Sequence, residues 1–166
     1  MKIIDNFLSD VDWHNIATVM LSIDFDWHYT NALHYKTKDL DNFQFVNVMY
    51  DNMIPKTKEF NLVNPIINSE KSNIISLIKI KANLNPRRDR IIKHGFHVDY
   101  PFKCTTSIYY VNTCDGYTEF EDGTKIESIQ NRFVSFPSNL KHTGTTCTDA
   151  RARMVINLNY YNGSNI

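Results

Sequence analysis

Cysteine is sparse, net charge is nil and no apolar run is long; each shortage removes a class of protein. The three cysteines, Cys104, Cys114 and Cys147, are odd in number and include no close pair. That spacing offers neither a disulfide framework nor the paired thiolates of a structural zinc site, so they read as reduced thiols of a cytoplasmic protein. Eighteen Lys and Arg balance eighteen Asp and Glu, which argues against a strongly basic nucleic-acid binder and leaves room only for a local patch. No stretch approaches the length that crosses a bilayer, so no membrane partner is expected. Met1-Lys2-Ile3-Ile4-Asp5 meets charge before the apolar core of a secretion signal begins. Internal repeats, low-complexity tracts and Gly/Ser linkers are also missing. With 166 residues, 42% of them hydrophobic, the chain is expected to form one domain, 1–166, with a substantial core. Nothing in the composition fixes an oligomeric state.

The patterning divides the chain in two. Over 1–73, Ser9-Asp10-Val11-Asp12 forms a helix cap ahead of "WHNIATVML". "FQFVNVMY" (43–50) follows, and then a helical stretch around 57–71 in which Pro65 requires a break or a first-turn position. From 74 to 162 the period changes to two. "SLIKIKANL" places Leu77, Lys79, Lys81 and Asn83 on one face and Ile78, Ile80, Ala82 and Leu84 on the other. "CTTSIYYVN" (104–112), "RFVSFP" (132–137) and "RMVINLNYY" (153–161) read as strands, and "YTEFEDG" (117–123) ends in the Asp-Gly of a hairpin. The expected fold is mainly β with supporting α: a double-stranded β-helix (jelly roll) over 74–162, with the 1–73 segment bracing one sheet.

"HGFHVDYPF" (94–102) carries the first chemistry. One residue apart on an extended chain, His97 and Asp99 point the same way. His142, in "SNLKHTGTT" just beyond the strand "RFVSFP", supplies a second imidazole. Two neutral imidazoles and a carboxylate suit divalent iron and leave coordination positions open. The plain alternative is a surface His97–Asp99 pair with His142 as a loop histidine. A second feature lies on the last strand, where Arg153, Val155 and Asn157 share a face. An arginine directed into a barrel is costly unless it meets an anion, and its planar fork suits a carboxylate. Arg151 competes for that role. Tyr110, on the face of Ile108 and Thr106, needs a partner for its hydroxyl. Together Arg153 and Tyr110 offer to hold the far carboxylate of a dicarboxylic acid. His14, His28, His34 and His94 have no ligand partner in the sequence; of these, His94 is the one placed to line the mouth.

With these residues in hand, the stretch from about Lys79 to Asn162 resembles the Fe(II)/2-oxoglutarate-dependent dioxygenases, in their prolyl hydroxylase branch. The resemblance is carried by His97-Val98-Asp99 with Pro101 behind it, by "SIYYVN", by Gly116, Thr118 and Phe120 of "DGYTEFEDG", by "RFVSFPSNLKHTG" and by "RMVINLNYY". It implies iron(II) on His97, Asp99 and His142. It implies 2-oxoglutarate held by Arg153 and Tyr110, with Asn85, Thr118 and Asn157 in the cosubstrate site. Where relatives of this kind offer an aromatic residue ahead of the proline, "ANLNP" offers Asn85; Asn83 or Asn85 is then the donor to the metal-binding end. The implied activity is O2-dependent hydroxylation of an unactivated C–H bond, with 2-oxoglutarate converted to succinate and CO2 and ascorbate as a stimulant. The branch points to a prolyl residue in a peptide or protein, flanked by segments 28–40 and 85–94.

Three other readings stay open at this stage. A free amino acid or other small molecule is an alternative substrate. A cupin-like metal-binding module that performs no oxidation would share the metal ligands but would have no use for Arg153 and Tyr110. A nucleic-acid demethylase would draw on Arg87, Arg88 and Arg90 of "NPRRDR", although in a neutral chain these read as a solvated loop.

Overall fold

The computed structural model describes residues 1–31 and 42–163. In chain order these form β1 (Lys2–Ile4), α1 (Asp10–Met20), β2 (His28–Asn31), β3 (Phe43–Asp51), β4 (Ile54–Pro55), a 3₁₀ turn (Lys58–Val63) and α2 (Asn64–Ile67). There follow β5 (Ile74–Pro86), β6 (Thr105–Tyr110), β7 (Cys114–Phe120), β8 (Lys125–Ser128), β9 (Arg132–Pro137), β10 (His142–Gly144) and β11 (Ala152–Asn162). The local signals act where expected. Ser9 caps α1 by accepting from the Asp12 amide, and Pro65 sits in the first turn of α2. Gly123 supplies the positive φ (87°) that the β7–β8 turn requires.

Among the described residues, the strands make two antiparallel sheets. The larger runs β1-β9-β6-β11-β5-β3-β2, with β4 on β3; the smaller runs β10-β7-β8. The two face each other as a double-stranded β-helix. Period-two alternation gives the large sheet two different faces. Tyr109, Phe133, Ile156, Leu158, Ile80 and Ala82 turn outward onto Ile16 and Met20 of α1 and Ile66 of α2. Ile108, Tyr110, Val134 and Val155 turn inward onto Phe120 and Ile126 of the small sheet. The helices therefore back one sheet, held in part by Trp13 Nε1 donating 2.8 Å to the Val111 carbonyl. β1 and β3 are members of the large sheet rather than a separate layer.

One expectation fails in detail. Leu77 packs with the helix-side core, not on the Lys79 face. The cause is a bulge: Asn159 pairs with Lys79 but Tyr160 pairs with Leu77, so Ile78 is an extra residue that reverses the parity of the strand behind it.

Candidate metal and anion site

The site lies between the sheets, at the end where β10 meets the irregular segment before β6. His97 and His142 face each other as a reciprocal antiparallel pair: each backbone amide donates to the other's carbonyl at 2.9 Å. This lock brings their rings to 4.7 Å between centroids. Each ring is then oriented the same way. His97 Nδ1 lies 3.2 Å from the Gly95 carbonyl, and His142 Nδ1 lies 3.0 Å from the Leu140 carbonyl. A carbonyl only accepts, so both Nδ1 atoms carry the proton and both Nε2 lone pairs turn inward. Burial, together with the neighbouring His142, lowers the pKa of His97 and favours its neutral, ligating form.

Asp99 completes the group. Its Oδ1 stands 3.7 Å from His97 Nε2 and 3.9 Å from His142 Nε2. These separations are too long for hydrogen bonds, yet the three ligand atoms lie within 4.8 Å of one another. Asp99 Oδ2 is taken up elsewhere, accepting from Thr106 Oγ1 and from Asn159 Nδ2, both at 2.8 Å. One carboxylate oxygen is thus anchored and the other left for a cation, an arrangement that fixes a one-oxygen ligand. Asn159 is the residue that sequence reasoning passed over. It lies on the same face of β11 as Arg153, two positions beyond Asn157, so strand parity pointed toward it.

Beyond the histidines is a cavity lined by Lys81, Asn85, His94, Thr118, Arg153 and Asn157 among others. Arg153 is only 2% exposed, whereas Arg151 is exposed, which decides between them as a residue of the interior. The Arg153 Nε donates to Ser128 Oγ at 2.7 Å and Nη2 to Thr118 Oγ1 at 3.0 Å. No Asp or Glu among the described residues pairs with it. Its stem passes Gly116, where a Cβ would come within 2.6 Å of Arg153 Cδ and of the Thr146 carbonyl; only glycine fits that crossing.

Tyr110 lies behind Thr118. Its hydroxyl donates to Thr118 Oγ1 at 2.8 Å, and its ring sits 5.5 Å from the Arg153 guanidinium carbon. Because Thr118 Oγ1 accepts from both Tyr110 and Arg153, its own proton is free to point into the cavity. Burial pushes the Tyr110 phenol up, so it remains a donor.

Asn85 Oδ1, Asn157 Oδ1 and His94 Nε2 are buried with no partner among the described residues. His94, 4% exposed, lies in the cavity wall rather than at its rim. Its Nδ1 is 2.6 Å from Asn42 Oδ1, and burial and the Arg153 charge hold its pKa at about 4. Burial likewise lowers the pKa of Lys81, the cavity's second cation. His14 and His28 are exposed, as are Arg87 and Arg90, while Arg88 stacks 4.3 Å over the Phe43 ring. His34 and most of the expected flanking segment 28–40 lie outside the described residues.

No protein-family model and no curated protein matches the sequence. Solved structures share the fold. A prolyl hydroxylase from Trichoplax adhaerens, in complex with a hypoxia inducible factor oxygen degradation domain peptide fragment, aligns with a TM-score of 0.59 at 17% identity, over 99% of this chain and 84% of that one. A prolyl-4-hydroxylase from Pseudomonas putida gives 0.59 at 11% identity, over 96% and 91%. The non-heme alpha ketoglutarate dependent epimerase SnoN of nogalamycin biosynthesis gives 0.66 at 10% identity, over 96% and 76%. At these identities the likeness is one of fold.

Proposed function

We propose that this protein is an Fe(II)- and 2-oxoglutarate-dependent dioxygenase that hydroxylates a prolyl residue in a peptide or protein. The observation that carries the reading is the pairing of two features across one cavity. His97, Asp99 and His142 turn three ligand atoms toward a common point, and a buried arginine with no carboxylate partner among the described residues stands behind them. The residues fit the two implied groups. Two Nε2 lone pairs and one free carboxylate oxygen are a donor set for iron(II) with positions to spare. Two cations, Arg153 and Lys81, line a cavity in which a dicarboxylate would find charge, and the carboxamides of Asn85 and Asn157, whose oxygens have no partner among the described residues, can turn to present N–H groups.

Iron(II) with 2-oxoglutarate supplies the oxidation, reducing dioxygen as the keto acid becomes succinate and CO2 and a C–H bond gains one oxygen. The chain's own residues position and shield. His97, Asp99 and His142 hold the metal; Thr106 and Asn159 keep Asp99 aimed. Arg153 and the Thr118 hydroxyl bind the distal carboxylate, with Tyr110 fixing Thr118.

The peptide assignment draws on the outer surface. Phe96 and Val98 alternate with His97 and Asp99, and they and Phe102 are exposed. Tyr100 and Phe102 pack at 4.9 Å between ring centroids, with Tyr161 at 6.5 Å from Phe102. This aromatic surface beside Asp99 suits an extended peptide that covers the mouth and excludes water. The test is mass spectrometry of proline-containing peptides incubated with Fe(II), 2-oxoglutarate, O2 and ascorbate. One added oxygen on proline supports the assignment. Modification confined to free proline, another small molecule or a methylated nucleobase removes the peptide and keeps the oxygenase; no succinate with any substrate removes both.

A further inference from the structure

Two of the three cysteines, scattered in sequence, meet in space. Cys114 opens β7 and Cys147 follows β10, and the two thiols lie against each other. The backbones carrying them are tied together. Asp115 accepts from the Thr148 amide at 2.7 Å and from the Thr148 hydroxyl, and Asp149 Oδ1 accepts from the Asp115 amide at 2.9 Å. The two thiols are not equivalent. Cys147 is fully buried, with Sγ 3.5 Å from the Ala150 carbonyl. Cys114 is also buried, 7% exposed, but borders a surface groove shared with Tyr117, Lys125, Ser128 and Arg132. The neighbouring Cys147, the Gly116 amide and the Arg153 charge lower the Cys114 pKa against the effect of burial, while the same neighbour and burial raise that of Cys147. Cys104 is buried elsewhere, beside Ser138, and burial raises its pKa.

We propose that Cys114 and Cys147 are an oxidation site, a dithiol that hydroperoxides close into an intramolecular disulfide. Cys114 is the reactive member because it borders the groove, whereas Cys147, fully enclosed and against it, is the resolving one. The chemistry balances. The Cys114 thiolate attacks one oxygen of hydrogen peroxide; an S–O bond forms, the O–O bond breaks, and hydroxide leaves as water after taking a proton. The Cys147 sulfur then attacks the sulfenic sulfur, an S–S bond forms, the S–O bond breaks and a second water departs. Two thiols and one peroxide yield one disulfide and two waters; the sulfurs lose two electrons and the peroxide gains them. The crosslink joins the two backbones that meet beside the Arg153 stem, where Gly116 is crowded by Arg153 Cδ and by the Thr146 carbonyl. Resting on the proposed function, the oxidised protein therefore loses affinity for 2-oxoglutarate.

The test uses the full chain, stripped of metal with a chelator so that no iron–peroxide chemistry intervenes. After treatment with hydrogen peroxide, mass mapping without reductant should find the Cys114 and Cys147 peptides joined, the mass of two hydrogens lost, and Cys104 still open to alkylation. Cys147→Ser should leave Cys114 as a sulfenic acid trapped by dimedone, and Cys114→Ser should leave Cys147 reduced. A crosslink through Cys104, equal oxidation of all three cysteines, or Cys114 and Cys147 remaining reduced at a dose that oxidises free cysteine would overturn the proposal. Binding of 2-oxoglutarate, with Mn(II) restored, is read separately on reduced and oxidised protein. Equal binding by the two forms overturns the coupling to Arg153. A reduced protein that binds none overturns the proposed function, while the dithiol stands on its mass evidence.

Discussion

Replacing Arg153 with methionine should leave the ligand-free protein about as stable and make its dicarboxylate site worse. The guanidinium is buried, donates to Ser128 and Thr118, and has no Asp or Glu partner among the described residues. A buried charge without a counter-charge costs several kcal/mol of desolvation, consistent with the lowered pKa that burial gives it. Exchange of buried ionic groups for apolar side chains of similar volume is neutral to stabilising by roughly 1–4 kcal/mol. Two hydrogen bonds from the charged group are lost as well, each worth about 1.5–3 kcal/mol net, and offset most or all of that. The ligand-free variant should therefore melt within a few degrees of wild type, at about 2–4 °C per kcal/mol for a chain of this size. The ligand-bound state should show a clear loss. Loss of a desolvated carboxylate pair costs about 2–5 kcal/mol, a fall in affinity of roughly thirty- to several-thousand-fold. Thermal shift and anaerobic titration calorimetry with 2-oxoglutarate and Mn(II) measure both, with Arg151→Ala as the exposed control. If Arg153→Met kept its affinity within twofold, or if Arg151→Ala lost more, the anion assignment of Arg153 would be refuted.

His97→Ala, Asp99→Ala and His142→Ala should each abolish tight Fe(II) binding, measured by anaerobic metal titration, while circular dichroism stays that of a folded β protein; a variant that still binds iron tightly is not a ligand variant. Asn159→Ala releases one of the two donors on Asp99 Oδ2 and should weaken metal affinity by about 10- to 100-fold without removing a ligand; unchanged affinity would show that Thr106 alone holds the carboxylate. The pH dependence of stability should carry the mark of His94. Its folded pKa is about 4 against 6.5 when unfolded, so the unfolded state binds the proton first as pH falls. Stability is then full above pH 6.5, declines through that window by about 3 kcal/mol and levels below it. Denaturant titrations of His94→Gln should lack this decline; a variant that lost stability as steeply as wild type would place the titration elsewhere.

Much of the fold was legible in short-range periodicity. Ser9 and Asp12 specify a helix start, Asp122-Gly123 a hairpin, and the alternation in β11 puts Arg153 on one face with Val155 and Asn157, although Arg151 has the same parity and only its place outside the strand exposes it. These are local rules, decided by dihedral preferences and side-chain period within one element, so the sequence alone determined them. His97 and Asp99 belong to the same class, being one residue apart. What required the tertiary structure was everything set by register between distant strands. The reciprocal amide pair that turns His142 toward His97, the Asn159 and Thr106 donors on Asp99, the meeting of Cys114 with Cys147 and the burial of His94 against Asn42 all depend on which residue ends up opposite which. Even within a strand of strict alternation, a bulge at Ile78 reversed the face of Leu77, because one extra residue in the ladder exchanges the two sides of a pleated chain.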